Sequence, residues 1–145
     1  MTAAGRPPAV LLDTCAVIWL ANGEPLEKGA DAAIIHAGMT DGIFVSPICA
    51  WEIGLLSRPR AGRAFAFLPD PATWFTRFTA GAGIRPAPFT ADIAIAASGL
   101  PEPLHGDPAD RLLIATARHL ALPIVTRDAK ILEYAAAGLV SAIAC

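Results

Sequence analysis

Asp107-Pro108-Ala109-Asp110-Arg111-Leu112-Leu113-Ile114-Ala115-Thr116-Ala117-Arg118 is followed shortly by Leu122-Pro123-Ile124-Val125-Thr126-Arg127-Asp128. The first run reads as a helix with Asp107 as N-cap, proline at the first helical position, and apolar residues at helical spacing. The second reads as a short buried strand that runs directly into an acid. The same strand-then-acid pattern opens the chain, where Ala9-Val10-Leu11-Leu12 precedes Asp13. Strands separated by helices imply a parallel sheet flanked by helices. In such open sheets the ligand crevice lies just beyond the carboxyl ends of the strands, which is where Asp13 and Asp128 are expected.

Outward from these blocks the alternation of strand and helix continues. Residues 14–21 read as an apolar helix ending near Asn22-Gly23, and the Ala-rich stretch 27–37 as a second that stops at Gly38. Ile43-Phe44-Val45 is a strand, and Ser46-Pro47 is an N-cap with proline that opens a helix through Leu56. Residues 57–62 form a loop, and 72–79 a helix with Trp74, Phe75 and Phe78 on one face. Residues 84–88 are extended, because two prolines forbid a helix there. Thr90 caps a helix through Ser98. After the Ile124 strand come a helix over 129–137 and a last strand over 139–143. No linker or internal repeat interrupts the pattern, so residues 1–145 are expected to form one α/β domain with four or five strands.

The bulk numbers narrow the class. The chain has 145 residues, a hydrophobic fraction of 54% and a formal net charge of −2. Much of the apolarity is alanine, and no stretch approaches the roughly 20 apolar residues of a membrane span. The first residues carry no signal-peptide core, so a cytoplasmic protein without a membrane anchor is expected. High apolarity without a span points to a surface covered by another chain. Cys15, Cys49 and Cys145 are odd in number and widely spaced, which argues against a disulfide framework or zinc knuckle. The weakly acidic balance argues against a general basic grip on nucleic acid. It leaves room for an enzyme whose positive charge comes from bound metal and a few local arginines; Arg58, Arg60 and Arg63 make a short basic loop that could contact phosphates, though such clusters are usually just solvated.

Asp13, Glu52, Asp110 and Asp128 carry the chemistry. Each has a plain alternative: Asp13 and Asp128 could simply cap helices, Glu52 could be an exposed helical acid, and Asp110 could complement the helix dipole. Asp107, placed before proline, is accounted for by capping. Separate caps do not explain why the acids gather at one end of the sheet. Carboxylates brought together repel one another unless a divalent cation neutralises them, so the positions read as a metal site. Thr126 is placed to hydrogen-bond a carboxylate or a water at that site. His36, His105 and His119 form no zinc-binding arrangement and are expected at the surface. Trp19, Trp51, Trp74 and Phe75 are expected in the core or at a subunit interface.

At this point the chain resembles the PIN-domain ribonucleases, and among them the VapC-type toxins of toxin–antitoxin pairs. The matching blocks are Leu11-Leu12-Asp13-Thr14, Val45-Ser46-Pro47-Ile48 with Trp51-Glu52-Ile53, Asp107-Pro108-Ala109-Asp110-Arg111-Leu112 with Ala115-Thr116-Ala117, and Val125-Thr126-Arg127-Asp128. They follow the family order from Val10 to Tyr134. The resemblance implies a three-layer sandwich and an endoribonuclease that uses Mg²⁺ or Mn²⁺. Asp13, Glu52, Asp110 and Asp128 match the family's acidic positions and Thr126 its accessory hydroxyl, with Asp107 and Thr14 in supporting places. It also implies a homodimer and a small VapB-type antitoxin that blocks the site. Cys15 departs from the family, standing where relatives often carry a small polar residue or histidine.

The expected chemistry is in-line hydrolysis of an RNA phosphodiester, leaving 5′-phosphate and 3′-hydroxyl ends. One cation would be held mainly by Asp13 and Asp110, and a second could arrive with substrate. Two rivals stand beside this. A phosphatase or phosphoacceptor would use Asp13 as nucleophile, but Asp13-Thr14-Cys15 lacks a second acid two residues on. A catalytically silent binding module would have no use for the acids.

Overall fold

The structure, a computed structural model, describes residues 8–59 and 66–145; Arg60 and Arg63 of the basic loop lie outside the described residues. Five strands form one sheet in the order β3-β2-β1-β4-β5. They are β1 (Ala9–Leu12), β2 (Gly42–Val45), β3 (Ile84–Pro86), β4 (Ile124–Thr126) and β5 (Ala142–Ala144). Every pairing is parallel, with Leu11 opposite Phe44 on one side and Ile124 on the other. β1 and β4 are buried along their whole length, as expected for central strands covered on both faces. β3 is one of the two edge strands, where Pro86 is tolerated because no further strand needs its missing N–H.

The helices are α1 (Thr14–Ala21), α2 (Lys28–Met39), α3 (Pro47–Leu56), α4 (Pro71–Thr79), α5 (Ala91–Ser98), α6 (Pro108–Leu120) and α7 (Ala129–Ala136). Short polar side chains start most of them: Asp13, Ser46, Asp70, Thr90, Asp107 and Asp128 each accept a backbone N–H from the first turn. The core is built from Val10, Leu11, Leu12, Ile53, Ile93, Leu113, Ile114, Ile124 and Ile131, all essentially without solvent contact. α3 packs against α1, α4 and α6, and α6 packs against α5 and β4.

Several boundaries differ from the sequence expectation by a residue or two, and two of the differences have a clear physical reason. α2 does not stop at Gly38 but runs on to Met39. The close approach here is met by Gly83: a Cβ placed on it would lie 2.7 Å from the Gly38 carbonyl oxygen, so two backbones meet at this helix end. The last strand is Ala142–Ala144 rather than 139–143, because Leu139 is used to close α7. Gly138, at φ +82°, donates to Ala135 O and Leu139 N–H donates to Tyr134 O, which is the Schellman closure of a helix.

α6 closes in the same way with a less suitable residue. Leu122 N–H donates to Ala117 O, and Ala121 sits in the left-handed region at φ 54°. A side chain there costs roughly 1–2 kcal/mol that glycine avoids. Ala121→Gly should therefore stabilise the chain by about 1 kcal/mol, read as a higher urea midpoint at unchanged m-value. A lower midpoint would show that the turn is not strained.

Candidate active site

The strand order reverses direction between β1 and β4, since the chain builds β2 and β3 on one side of β1 and β4 and β5 on the other. That reversal is the switch point at which open sheets part their loops and form a crevice. Asp13 leaves β1 there and Thr126 ends β4 there. Their side chains meet across the gap, the Thr126 hydroxyl donating to Asp13 Oδ2. Asp13 N–H also donates to Val125 O at 3.1 Å, locking the two strand ends together.

Asp13 is both a helix cap and a buried acid. Its Oδ1 accepts from Ala16 N–H at 2.9 Å, and only 5% of the residue is exposed. Burial pushes its carboxyl up to about 6, against the lowering effect of the Thr126 and Ala16 hydrogen bonds, and the negative charges of Asp110 and Asp128 push the same way. Thr126, fully buried, also accepts from Asp128 N–H at 3.0 Å. One hydroxyl therefore fixes the first acid and the backbone of the last.

Glu52 projects from α3 and accepts from the Thr14 hydroxyl. It is half-buried, and its carboxyl is raised by burial, opposed by that hydrogen bond, then raised further by Asp110, Asp107 and Asp13. Asp110 lies in the first turn of α6, where its N–H donates to Asp107 Oδ1 at 3.0 Å. Burial raises its carboxyl, a hydrogen bond from His105 lowers it, and Asp107 and Asp128 raise it. Asp128 Oδ1 caps α7 through Lys130 N–H and Ile131 N–H at 2.8 and 3.1 Å. Asp107 is a cap, as its place before proline suggests.

Cys15, at the rim, registers all of these charges. Its side chain reaches solvent, yet its surroundings desolvate the thiol and push it up to about 12, with Asp13, Glu52, Asp110 and Asp128 each adding to the rise. The acids share one neighbourhood, but they do not form a closed cage. Among the described residues, no three of His, Cys, Asp and Glu stand close enough together to make a ready-made metal shell. The donor set nevertheless fits a hard cation. It is all carboxylate oxygen, and Mg²⁺ takes one or two carboxylates while keeping several of its waters. Carboxylates already raised by burial and mutual repulsion are those a cation relieves most.

His105 was not expected here. It sits in the loop before α6, its side chain 15% exposed, with Nε2 2.7 Å from Asp110 Oδ2. Nothing in Pro101-Glu102-Pro103-Leu104-His105-Gly106 has a periodicity from which burial could be read. Arg127, beside Asp128, is not free for substrate in this arrangement: it lies 3.6 Å above the Trp19 ring and its Nε donates to Cys145 O at 2.7 Å. Trp51, expected in the core or at an interface, is 54% exposed on α3.

The model of the family described as PIN domain matches residues 10–137. The chain is 33% identical over 124 residues to Ribonuclease VapC22 of Mycobacterium tuberculosis, covering 84% of this chain and 88% of that one. Its fold is similar to that in the crystal structure of VapBC2 from Rickettsia felis bound to a DNA fragment from their promoter. The TM-score there is 0.66 at 13% identity, over 94% of this chain and 98% of that one. The crystal structure of FitAcB from Neisseria gonorrhoeae is similar at TM-score 0.53 and 22% identity, over 92% and 96% of the two chains.

Proposed function

The chain belongs to the PIN domain family, and from that premise we propose that it is a divalent-metal-dependent endoribonuclease acting as the toxin of a toxin–antitoxin pair. The observation that carries this reading is Asp13: a carboxylate buried at the switch point, hydrogen-bonded by Thr126, and raised by burial and by neighbouring acids. The relative's name as a ribonuclease supports the substrate class. RNA is the substrate, and its phosphates would be repelled by this acid cluster alone, so substrate and cation are expected to bind together.

Asp13 and Asp110 are the residues we assign as principal ligands of Mg²⁺ or Mn²⁺, with Glu52 and Asp128 completing the set. When bound, the cation supplies charge neutralisation at the phosphate and acidifies an attacking water. Thr126 keeps the Asp13 carboxylate turned to the crevice, and Thr14 does the same for Glu52. Asp107 supports the site by holding the first turn of α6, and so the backbone of Asp110. In-line hydrolysis at this site leaves 5′-phosphate and 3′-hydroxyl ends.

A homodimer and a small VapB-type antitoxin that covers the crevice accompany this reading. Among the described residues no helix is long and apolar enough to cross a membrane, and a cytoplasmic location is part of the proposal. Induced expression in a bacterial host, with RNA 5′ ends mapped, tests it. Growth arrest with new 5′-phosphate ends at discrete positions is expected. Arrest with intact RNA, or unimpaired growth at high expression, would overturn it.

A further inference from the structure

Each of three acids in the crevice is held at one oxygen by one side-chain partner. Thr126 holds Asp13 Oδ2, Thr14 holds Glu52 Oε1, and His105 Nε2 lies 2.7 Å from Asp110 Oδ2. The threonines come from the sheet end and from α1, but His105 comes from the loop between α5 and α6. That loop is strapped in place. Tyr134 Oη donates to Pro101 O at 2.8 Å, and Leu104 N–H donates to Glu102 Oε2 at 2.9 Å. Arg111 donates through Nε to Ala97 O at 3.0 Å and through Nη1 to His105 O at 3.4 Å. Arg111 is the next residue after Asp110, so the same helical turn presents the acid and anchors the histidine that meets it.

The His105 ring has a defined polarity. Its other nitrogen, Nδ1, is buried and finds no hydrogen-bond partner among the described residues. A proton on Nδ1 would be stranded without an acceptor, whereas a proton on Nε2 points at a carboxylate. Of the two neutral tautomers, the arrangement favours the one with its proton on Nε2.

We propose that His105 is a positioning residue for the cation site: its Nε2–H fixes one oxygen of Asp110, so that the carboxylate presents the other to a divalent cation. This rests on the reading of the crevice as a cation site and extends it to a residue outside the acids. Hydrogen bonds that orient a ligating group typically change metal affinity by about 10–100-fold when removed.

The test is Mn²⁺ binding to the purified full chain, followed by the electron paramagnetic resonance signal of free Mn²⁺, with no RNA present. Wild type is compared with His105→Phe, which keeps a ring and loses the donor, and His105→Gln, which keeps a donor. Circular dichroism checks that each is folded, and His105→Ala replaces the phenylalanine variant if that ring is not accommodated. The donor-free variant should bind Mn²⁺ about 10–100-fold more weakly, and the glutamine variant should stay near wild type. Equal affinity of wild type and the donor-free variant would overturn the inference alone. So would a folded glutamine variant as weak as the donor-free one. A wild-type chain that binds no Mn²⁺ would overturn the cation site, and this role of His105 with it.

Discussion

Asp13→Asn is expected to abolish RNA cleavage and, without metal, to leave a more stable folded chain at neutral pH. The activity loss follows from removing a principal charge on the cation; that charge stabilisation is worth several kcal/mol, or roughly 10²–10⁴-fold in rate. The gain in stability follows from the pKa. The folded carboxyl titrates at about 6 against an ordinary value of 3.8. Between those values the folded chain holds a proton that the unfolded chain has released, so stability falls as pH rises through the window. Above pH 6 the buried charge is a standing cost, on the order of 2–3 kcal/mol. Asparagine can still accept from Ala16 N–H through Oδ1, its amide NH2 then donating to the Thr126 hydroxyl oxygen, and it has nothing to ionise. Urea unfolding in EDTA at pH 4 and pH 7 should therefore show a smaller loss of stability with pH in the variant than in the wild type. Identical pH slopes would mean that Asp13 is not an ionised buried group.

Thr126→Val is the second large effect, and it acts on the fold and the site together. Valine has nearly the same shape, so packing against the core is kept. It lacks the hydroxyl that donates to Asp13 in a buried setting and accepts from Asp128 N–H in a partly buried one. An unsatisfied buried polar group costs about 1–3 kcal/mol, so losing both partners should lower stability by roughly 2–4 kcal/mol. Cation affinity should fall too, because Asp13 loses the contact that orients it. Thr126→Ser keeps the hydroxyl and should restore most of both properties. A valine variant as stable as wild type would show that the threonine bridge contributes little.

Much of this was legible in the sequence because local chemistry and tertiary role coincide. Asp107-Pro108 and Ser46-Pro47 mark helix starts whatever surrounds them, and the structure begins α6 and α3 there. Asp13 and Asp128 follow short buried strands, and a parallel sheet carries such acids to one edge. What failed to show are the features that depend on remote chain. Gly38 reads as a helix stop until Gly83, far along the sequence, is seen against it. Leu139 reads as strand because its apolar side chain says nothing of the backbone bond that closes α7. His105 lies in a loop without pattern, and only the fold turns its ring towards Asp110. That Asp13 is a cap and a raised acid at once was posed by the sequence as a choice; in the structure one oxygen caps and the other faces Thr126.

Cleavage of a defined RNA by the purified chain, followed from EDTA through a Mn²⁺ titration, tests the role of the acids most directly. Cleavage should be absent in EDTA, rise saturably with Mn²⁺, and leave 5′-phosphate ends, while Asp13→Asn stays inactive at every concentration. Cleavage that persists in EDTA, or that proceeds at the wild-type rate in Asp13→Asn, would contradict a cation-dependent nuclease site at the β1–β4 switch point.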